Sequence, residues 1–207
     1  IDLAKPDFII NFAAESHVDR SIEDPSLFIQ TNILGTYNLL NESYDYYLGL
    51  DKSQKNSFRF IHISTDEVFG SLDINEESFK EDNNYLPNSP YSASKAASDM
   101  LVRSWFKTYN FPTITTHSSN NYGPWQDPEK LIPRTILNAL NEEPIEIYGN
   151  GANIRDWLFV TDNVNAIIKL LMNGKVGENY NIGGNNEISN INLVNLLCKT
   201  LNQIKPR

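Results

Sequence analysis

Residues 58–70 read Phe-Arg-Phe-Ile-His-Ile-Ser-Thr-Asp-Glu-Val-Phe-Gly, so an apolar run passes directly into hydroxyl and carboxylate side chains. The apolar half is typical of a buried strand in a parallel sheet, and the glycine ends the segment. Because the side chains turn polar at Ser64, the chain is predicted to leave the sheet there, at the carboxyl end of the strand. Open α/β sheets bind ligands at that edge. The candidate site residues of this segment are Thr65, Asp66 and Glu67.

A second motif, Tyr91-Ser-Ala-Ser-Lys95, follows Ser89 and Pro90. Proline after a serine cap is a helix-start signal, so Tyr91 and Lys95 are predicted to share one face of the first turns. A neighbouring ammonium and the positive end of a helix both favour the ionised phenol, which would act as a general base. Taken singly, each motif can be explained without a catalytic role. Asp66 or Glu67 could cap a helix in a solvated loop, and Tyr91 and Lys95 could lie on a solvated helix face.

Together the two motifs resemble the extended short-chain dehydrogenase/reductase family, and within it the dTDP-glucose 4,6-dehydratases. The likeness also runs through residues 11–21 (Asn-Phe-Ala-Ala-Glu-Ser-His-Val-Asp-Arg-Ser), 119–124 (Ser-Asn-Asn-Tyr-Gly-Pro) and 155–157 (Arg-Asp-Trp), and so covers nearly the whole chain. Several ordered motifs that agree are far more specific than any one of them. The resemblance implies an α/β fold with an NAD-binding, Rossmann-type, doubly wound parallel sheet and a smaller α/β lobe that binds a sugar nucleotide.

The same resemblance implies two domains. Residues 1–124 correspond to part of the NAD-binding domain, and residues 125–207 correspond mostly to part of the substrate lobe, with segments that return to the first domain. The chain opens at what resembles the fourth strand of a Rossmann unit, after the glycine-rich turn that would hold the pyrophosphate. We therefore expect a fragment truncated at both ends that lacks the first βαβ units. Such a polypeptide is expected to bind NAD weakly or not at all by itself.

Residue roles follow from the resemblance. The catalytic residues are expected to be Thr65, Asp66, Glu67, Tyr91 and Lys95. The expected NAD contacts are Phe12, Ala13, Ala14, Glu15, Ser16, Thr31, Tyr91, Lys95 and Asn121. The expected substrate contacts are Ser16, Thr65, Asp66, Glu67, Asn120, Lys130, Leu131, Arg155 and Asn190. Among these, Arg155 is the strongest phosphate candidate because a guanidinium binds phosphate in a bidentate manner, although an ion pair with Asp156 is its ordinary alternative.

The implied activity is that of a lyase, an NAD-dependent nucleotide-sugar 4,6-dehydratase. Tyr91 takes the proton of the glucose 4-hydroxyl while a hydride passes from C4 to NAD, with Thr65 bonded to the 4-oxygen. The resulting ketone acidifies the C5 hydrogen, which Glu67 removes while Asp66 protonates the departing 6-hydroxyl. These roles require the pKa of Asp66 to be raised. The hydride then returns to C6, which converts dTDP-glucose to dTDP-4-keto-6-deoxyglucose.

Other activities stay open at this point. A nucleotide-sugar 4-epimerase shares the Tyr-x-x-x-Lys motif but needs no carboxylate pair, and a GDP-mannose dehydratase is expected to keep Glu67 but not Asp66. A UDP-glucose 4,6-dehydratase is not separated from a dTDP-glucose enzyme because the base pocket is not legible in the sequence. Outside enzymes, the alternative is an inactive homologue that binds sugar nucleotides.

Composition limits the partners. With 40% hydrophobic residues among 207, the chain can bury a substantial core, and its net charge of -9 argues against nucleic-acid and anionic-membrane partners. One cysteine, Cys198, excludes a disulfide framework, and no metal-ligand spacing is present, so no metal is expected. The absence of a long apolar span and of a signal-peptide pattern predicts a cytoplasmic protein.

Apolar stripes on predicted helices 25–48 and 91–109 predict a homodimer through them, as in the family.

Overall fold

The computed structural model describes residues 1, 3–72 and 76–205. It divides into two compact units, of which unit 1 comprises Ile1–Ser118 and Ala166–Ile182. Unit 2 comprises Ser119–Asn165 and Gly183–Arg207. The predicted boundary after residue 124 is therefore displaced to Ser118, and residues 206 and 207 of the predicted second domain lie outside the described residues.

Helices and strands alternate along the described chain. The helices are α1 Val18–Glu23, α2 Pro25–Phe28, α3 Gly35–Gly49, α4 Lys52–Ser57, α5 Pro90–Tyr109, α6 Leu131–Asn141, α7 Val160–Asn173 and α8 Asn190–Ile204. The strands are β1 Phe8–Asn11, β2 Arg59–Thr65, β3 Thr113–Ser118, β4 Asn120–Tyr122, β5 Ile154–Phe159, β6 Asn179–Ile182 and β7 Glu187–Ser189. A π-helical segment, Ile29–Leu34, joins α2 to α3, and a 3-10 turn, Asp66–Phe69, follows β2.

The sheet of unit 1 has four parallel strands in the order β1-β2-β3-β6. Its central strands are buried on both faces, which is why β2 carries an almost continuous apolar run before its polar end. The predicted Rossmann-type parallel sheet is thereby confirmed. The predicted exit from the sheet at Ser64 was too early, because β3 continues alongside and pairs Thr65 with Ser118. The end of β3 at Ser118 also explains why the division into units falls there, since β4 pairs in a different sheet.

Gly70 ends the turn that follows β2. Its φ is +100°, and a Cβ built on it would lie 2.6 Å from the Leu86 carbonyl oxygen. Leu86 is held there because its amide donates to the Val68 carbonyl at 2.9 Å. Gly70 therefore permits both the backbone conformation and the close approach of the following loop.

Gly70→Ala is expected to lower the free energy of unfolding by about 2 kcal/mol or more, because the new Cβ meets backbone at a positive φ. Gly49→Ala is the matched control, since a Cβ at the end of α3 meets nothing within 4 Å. The control should be neutral or slightly stabilising. Urea denaturation of both variants measures the difference, and equal stability would contradict the account of the turn.

Helix α5 begins as predicted. The Ser89 side chain accepts from the Ser92 amide in a capping box, and Pro90 occupies the first helical position. The inward face contributes Val102 to a fully buried cluster with Leu40, Phe58, Phe60 and Phe111. This packing against β2 and β3 holds the first turn of α5 beside the carboxyl edge of the sheet.

The predicted helix 25–48 contains an irregularity that its apolar periodicity did not indicate. It begins at Pro25 as expected, with Asp24 as its cap, but the chain widens to a π-helix at Ile29–Leu34 before α3. Asn32 in this segment is 1% exposed, and its amide bonds to Glu15 and to Ser94. Widened turns of this kind are frequent at functional sites.

Unit 2 contains a three-stranded sheet in the order β4-β5-β7, with β4 parallel and β7 antiparallel to β5. Ser189 caps α8, which begins at Asn190. Helix α7 begins at Val160. No helix among the described residues is both long and apolar enough to cross a membrane.

Candidate active site

Two hydroxyls and two carboxylates meet at the carboxyl end of β2. Thr65, the last residue of the strand, accepts from the Glu67 amide at 3.3 Å and donates to Asp66 Oδ1 at 3.3 Å. Tyr91 is close enough to Thr65, Glu67 and Asp66 that each of them affects its pKa. The carboxylate turn therefore lies beside the first turn of α5, although the two motifs are distant in sequence.

The predicted lowering of the Tyr91 pKa is wrong for the ligand-free protein. Burial raises the pKa of Tyr91, and the negative charges of Glu67 and Asp66 raise it further, while the hydrogen bond with Thr65 acts in the opposite direction. The sequence suggested that Lys95 would lower it, but that ammonium donates to the Ile63 carbonyl at 2.7 Å. Tyr91 thus carries its proton until the balance of charge around it changes.

Lys95 lies deep in unit 1, with 4% of its surface exposed. Burial lowers the pKa of its ammonium, and the negative charge of Asp99 opposes that effect. Its Nζ also lies 3.5 Å from His62 Nε2. The ammonium is therefore embedded in a buried polar cluster rather than on a solvated helix face.

That cluster is built around Asp99, which sequence reasoning did not select. Its Oδ2 accepts from Ser64 Oγ at 2.8 Å and lies 3.2 Å from His117 Nε2, and its Oδ1 lies 3.3 Å from His62 Nε2. Burial alone would raise the pKa of Asp99, but the hydrogen bonds from His117 and His62 outweigh it and hold the pKa below its usual range. Tyr85 also belongs to the cluster, because its hydroxyl lies 2.7 Å from His117 Nε2.

His62 in this cluster should make the protein sensitive to acid. Burial, together with the charge of Lys95, lowers the pKa of His62 from 6.5 to about 4. Unfolding restores the ordinary value, so between these two pH values the unfolded chain binds a proton that the folded protein does not. The free energy of unfolding is therefore expected to fall by on the order of 3 kcal/mol as the pH is lowered through this window.

Urea denaturation at a series of pH values measures this effect. His62→Gln should flatten the dependence between pH 6.5 and about 4, because its side chain does not titrate there. His17→Gln is the matched control for loss of a histidine outside the cluster and should leave the dependence in place. An unchanged slope in His62→Gln would assign the acid sensitivity to another group.

The loop after β1 carries the predicted NAD contacts of unit 1. Phe12, Ala13 and Ser16 are exposed, whereas Ala14 and Glu15 are half-buried. Asn32 fixes this loop, since its Oδ1 accepts from the Glu15 amide at 2.8 Å and its Nδ2 donates to the Glu15 carbonyl at 3.0 Å. Asn32 was not predicted, but it lies next to the predicted Thr31, which is half-buried in the same π-helical segment.

The predicted substrate residues of unit 2 lie on its sheet and at the starts of its helices. Arg155 is exposed on β5, and Asn190 begins α8, where its amide donates to the Asn153 carbonyl at 2.9 Å. Asn120 and Asn121 lie on β4, Lys130 caps α6 and Leu131 begins that helix. Asp156 accepts from the amides of Gly184 and Asn186, at 2.6 and 2.8 Å, rather than from the neighbouring Arg155.

Several buried polar atoms of unit 2 have no hydrogen-bond partner among the described residues. They include Asn121 Oδ1, Gln126 Oε1 and Asn190 Oδ1. Buried acceptors nearly always have a hydrogen-bond donor as partner, so these oxygens are candidate acceptors for water or a polar ligand. Gln126 was not predicted, and no signal in its local sequence marks it beyond the neighbouring Asn-Asn-Tyr-Gly-Pro turn.

The structure thus groups the predicted residues within each unit. Five of them belong to unit 1: Thr65, Asp66, Glu67 and Tyr91 lie together after β2, whereas Lys95 on α5 belongs to the buried cluster of His62 and Asp99. The substrate residues of the other group belong to unit 2: Asn120, Lys130, Leu131, Arg155 and Asn190. Among the described residues, no group of three or more His, Cys, Asp or Glu side chains could hold a metal ion.

Known proteins resemble this chain in sequence and in fold. A dTDP-glucose 4,6-dehydratase of Xanthomonas campestris pv. campestris is 55% identical over 203 residues, which are 98% of this chain and 58% of that protein. A dTDP-glucose 4,6-dehydratase structure from Streptomyces venezuelae, with NAD and dTDP bound, has a TM-score of 0.87 at 44% identity, over 94% of this chain and 57% of that one. A UDP-glucuronic acid 4-epimerase structure from Bacillus cereus, with UDP-glucuronic acid and NAD, has a TM-score of 0.84 at 28% identity, over 95% and 60%.

The chain spans about 58% of the length of the first of these relatives. The family model described as GDP-mannose 4,6 dehydratase matches residues 1–206. The predicted resemblance to nucleotide-sugar dehydratases of the extended short-chain dehydrogenase/reductase type is confirmed by these matches. Since the family model covers nearly the whole chain, the protein belongs to the GDP-mannose 4,6 dehydratase family.

Proposed function

We propose that this chain carries the catalytic and sugar-nucleotide residues of a dTDP-glucose 4,6-dehydratase. The observation that carries the proposal is the contact network of Thr65, Asp66 and Glu67 with Tyr91 at the carboxyl edge of the sheet. It supplies a phenol that can take a proton once it is ionised, and two carboxylates beside it. Oxidation at C4 followed by loss of water across C5 and C6 needs these groups.

The residues of unit 1 fit an NAD site. The loop after β1 is exposed and contains the small Ala13 and Ala14, so its backbone is open to a ligand, and Asn32 holds it in place. Lys95 and Tyr91 lie on α5, beside the carboxyl edge at which such folds bind nucleotides. When bound, NAD would supply an acceptor for the C4 hydride and a donor for its return at C6.

In the proposed first step Tyr91 removes the proton of the sugar 4-hydroxyl, and Thr65 bonds to the same oxygen. Tyr91 has a raised pKa in the ligand-free protein, so it must lose its proton as the site fills. Glu67 and Asp66 are the nearby charges that oppose this ionisation. An Asp66 that is protonated, as a general acid must be, removes one of them and favours the phenolate.

In the proposed second step the C4 ketone makes the C5 hydrogen acidic. The Glu67 carboxylate takes that proton, the C6–O bond breaks, and Asp66 donates a proton so that the 6-hydroxyl leaves as water. Glu67, now protonated, can return its proton to C5 when C6 is reduced. The two carboxylates therefore have opposite starting states, which requires pKa values that differ between them.

Unit 2 would supply the contacts to the nucleotide diphosphate. Arg155 is exposed and donates from Nη1 to the Ile154 carbonyl, and its neighbour Asp156 accepts from two backbone amides. The other guanidinium N–H groups are proposed to bind phosphate. The unsatisfied carbonyl oxygens of Asn121 and Asn190 are acceptors for hydroxyl and amide groups of a ligand. Asn120, Lys130 and Leu131 are proposed as further substrate contacts.

The second candidate function is a nucleotide-sugar 4-epimerase, because the Bacillus cereus epimerase shares the fold at 28% identity. Such an enzyme needs the Tyr–Lys pair but has no step for Asp66 and Glu67, and the present site places both beside Tyr91. A UDP-glucose dehydratase would use the same carboxylates, and its substrate differs only in the nucleoside. An inactive binding homologue is disfavoured because the five proposed catalytic residues are intact.

Turnover tests the assignment in the natural polypeptide that contains this chain. With dTDP-glucose and NAD we expect a 4-keto-6-deoxy sugar, detected by its alkaline absorbance and by mass spectrometry as loss of water. UDP-glucose is the matched substrate that differs only in the nucleoside. Faster turnover of UDP-glucose would reassign the substrate, and a C4 epimer without loss of water would replace the dehydratase by the epimerase.

A homodimer is proposed through the outer faces of α3 and α5. Tyr37 and Leu48 on α3, and Met100 and Tyr109 on α5, are between 43% and 52% exposed. Exposed apolar residues on two neighbouring helices favour burial against a second copy. Sedimentation of the natural polypeptide tests whether it is a dimer.

A cytoplasmic location is also proposed, and cell fractionation tests it.

A further inference from the structure

Lys95 and Asp99 lie four residues apart on α5, with 4% and 2% of their surfaces exposed. A charge so deeply buried is tolerated only where an opposite charge or hydrogen bonds compensate for lost water. His62 lies between them, with Nε2 3.5 Å from Lys95 Nζ and 3.3 Å from Asp99 Oδ1. The imidazole therefore lies between the ammonium and the carboxylate.

The hydrogen-bond network assigns the proton of that imidazole. Asn11 Oδ1 accepts from the Ala13 amide at 3.2 Å, so the Asn11 Nδ2 group is the one that faces His62 Nδ1, at 3.3 Å. An amide nitrogen can only donate, so His62 Nδ1 is an acceptor and Nε2 carries the hydrogen, which faces Ser98 Oγ and Asp99 Oδ1, each 3.3 Å from Nε2. Since the pKa of His62 is lowered to about 4, the ring is neutral near pH 7 and leaves Lys95 as a charged partner of Asp99.

We infer that Asp99 is a positioning residue: its buried negative charge, held by the Ser64 hydroxyl, keeps the ammonium of Lys95 protonated one helical turn after Tyr91. The inference rests on the proposed function, because it concerns the Tyr–Lys pair of that reaction. Asp99 acts through Lys95 and is not offered as a contact to substrate. Other titratable groups surround Tyr91, Lys95 and Asp99. They are His62 on β2, His117 on β3, Tyr85 in the loop before α5, and Asp66 and Glu67 in the turn after β2.

The sign of the effect follows from charge. Asp99 raises the pKa of Lys95, and its negative charge also raises that of Tyr91. Removing the charge should lower both, so Lys95 would lose its proton at lower pH and Tyr91 would ionise at lower pH. In the pH profile for C4 oxidation, ionisation of Tyr91 sets the acid limb and deprotonation of Lys95 sets the alkaline limb. Both limbs should therefore move to lower pH.

The experiment is the pH profile of the first hydride step in the natural polypeptide, followed by the absorbance of reduced nicotinamide in a single turnover. In Asp99→Asn both limbs should move to lower pH by about one unit. Asp99→Glu restores the charge and should return both limbs toward their original positions. Ser64→Ala is the matched control, because it removes a hydrogen bond to Asp99 without removing the charge, and it should change the rate without moving the limbs.

Unmoved limbs in a folded Asp99→Asn variant overturn the inference, and so does a shift toward alkaline pH. If that variant does not fold, the pH titration of the Lys95 side chain by NMR decides in the unsubstituted protein, with Lys95→Arg used for assignment. Lys95 should still be protonated at about pH 8, and deprotonation below about pH 7 overturns the inference. Failure of the unsubstituted protein to oxidise dTDP-glucose would instead count against the proposed function.

Discussion

Tyr91→Phe is expected to lower the rate of C4 oxidation by about 10²- to 10⁴-fold, since it removes the group that accepts the 4-hydroxyl proton. Thr65, Glu67 and Asp66 all lie close enough to affect the pKa of Tyr91, so the loss falls at the centre of the proposed site. The ring itself packs edge-on against Phe28, and phenylalanine preserves that contact. The fold should therefore be retained.

Formation of reduced nicotinamide in a single turnover measures this step before elimination begins. Tyr46→Phe is the matched control, because it also removes one tyrosine hydroxyl, in this case one that donates to the Pro6 carbonyl at 3.2 Å. That control should oxidise the sugar at the original rate. Normal oxidation by Tyr91→Phe would remove the tyrosine from the proposed mechanism.

Glu67→Gln and Asp66→Asn are expected to stop the reaction at different points. Glu67→Gln cannot take the C5 proton, so it should oxidise C4 but exchange no C5 hydrogen with solvent deuterium. Asp66→Asn cannot protonate the leaving hydroxyl, so it should still exchange C5 hydrogen but lose water about 10²- to 10⁴-fold more slowly. Both substitutions keep the shape of the side chain and remove its acid–base function together with its negative charge.

Mass spectrometry and proton NMR of the recovered sugar in deuterated buffer separate these outcomes. Each variant serves as the control for the other, because each removes one carboxyl group from the same short turn. If both dehydrate the sugar at the original rate, the two carboxylates have no role in elimination. In that case their role would be confined to the 3-10 turn that follows Thr65.

Local signals in the sequence predicted the elements that position the site. The Ser89–Pro90 start of α5 and the Asp24–Pro25 start of α2 are both present as expected, since capping depends on neighbours in the chain. The apolar run before Ser64 predicted a parallel strand because such strands are covered on both faces. These interactions are short in sequence range, so a single sequence carries them.

Features that depend on tertiary contacts were not predicted. His62, Asp99 and His117 come from β2, α5 and β3, and only the strand order brings them together. The π-helical segment is set by the bonds of Asn32 to residues far along the chain, and apolar periodicity does not report it. The direction of the Tyr91 pKa was predicted wrongly for the same reason, since burial and the facing carboxylates outweighed the helix terminus.

The fate of the hydrogen at C4 tests the central proposal most directly. The natural polypeptide that contains this chain is given NAD and dTDP-glucose deuterated at C4, and the product is examined by proton and deuterium NMR. We expect the deuterium at C6 of a 4-keto-6-deoxy sugar, because the hydride removed beside Tyr91 returns after Glu67 and Asp66 have eliminated water. Deuterium that remains at C4 of an epimerised sugar, with the 6-hydroxyl intact, would contradict the account.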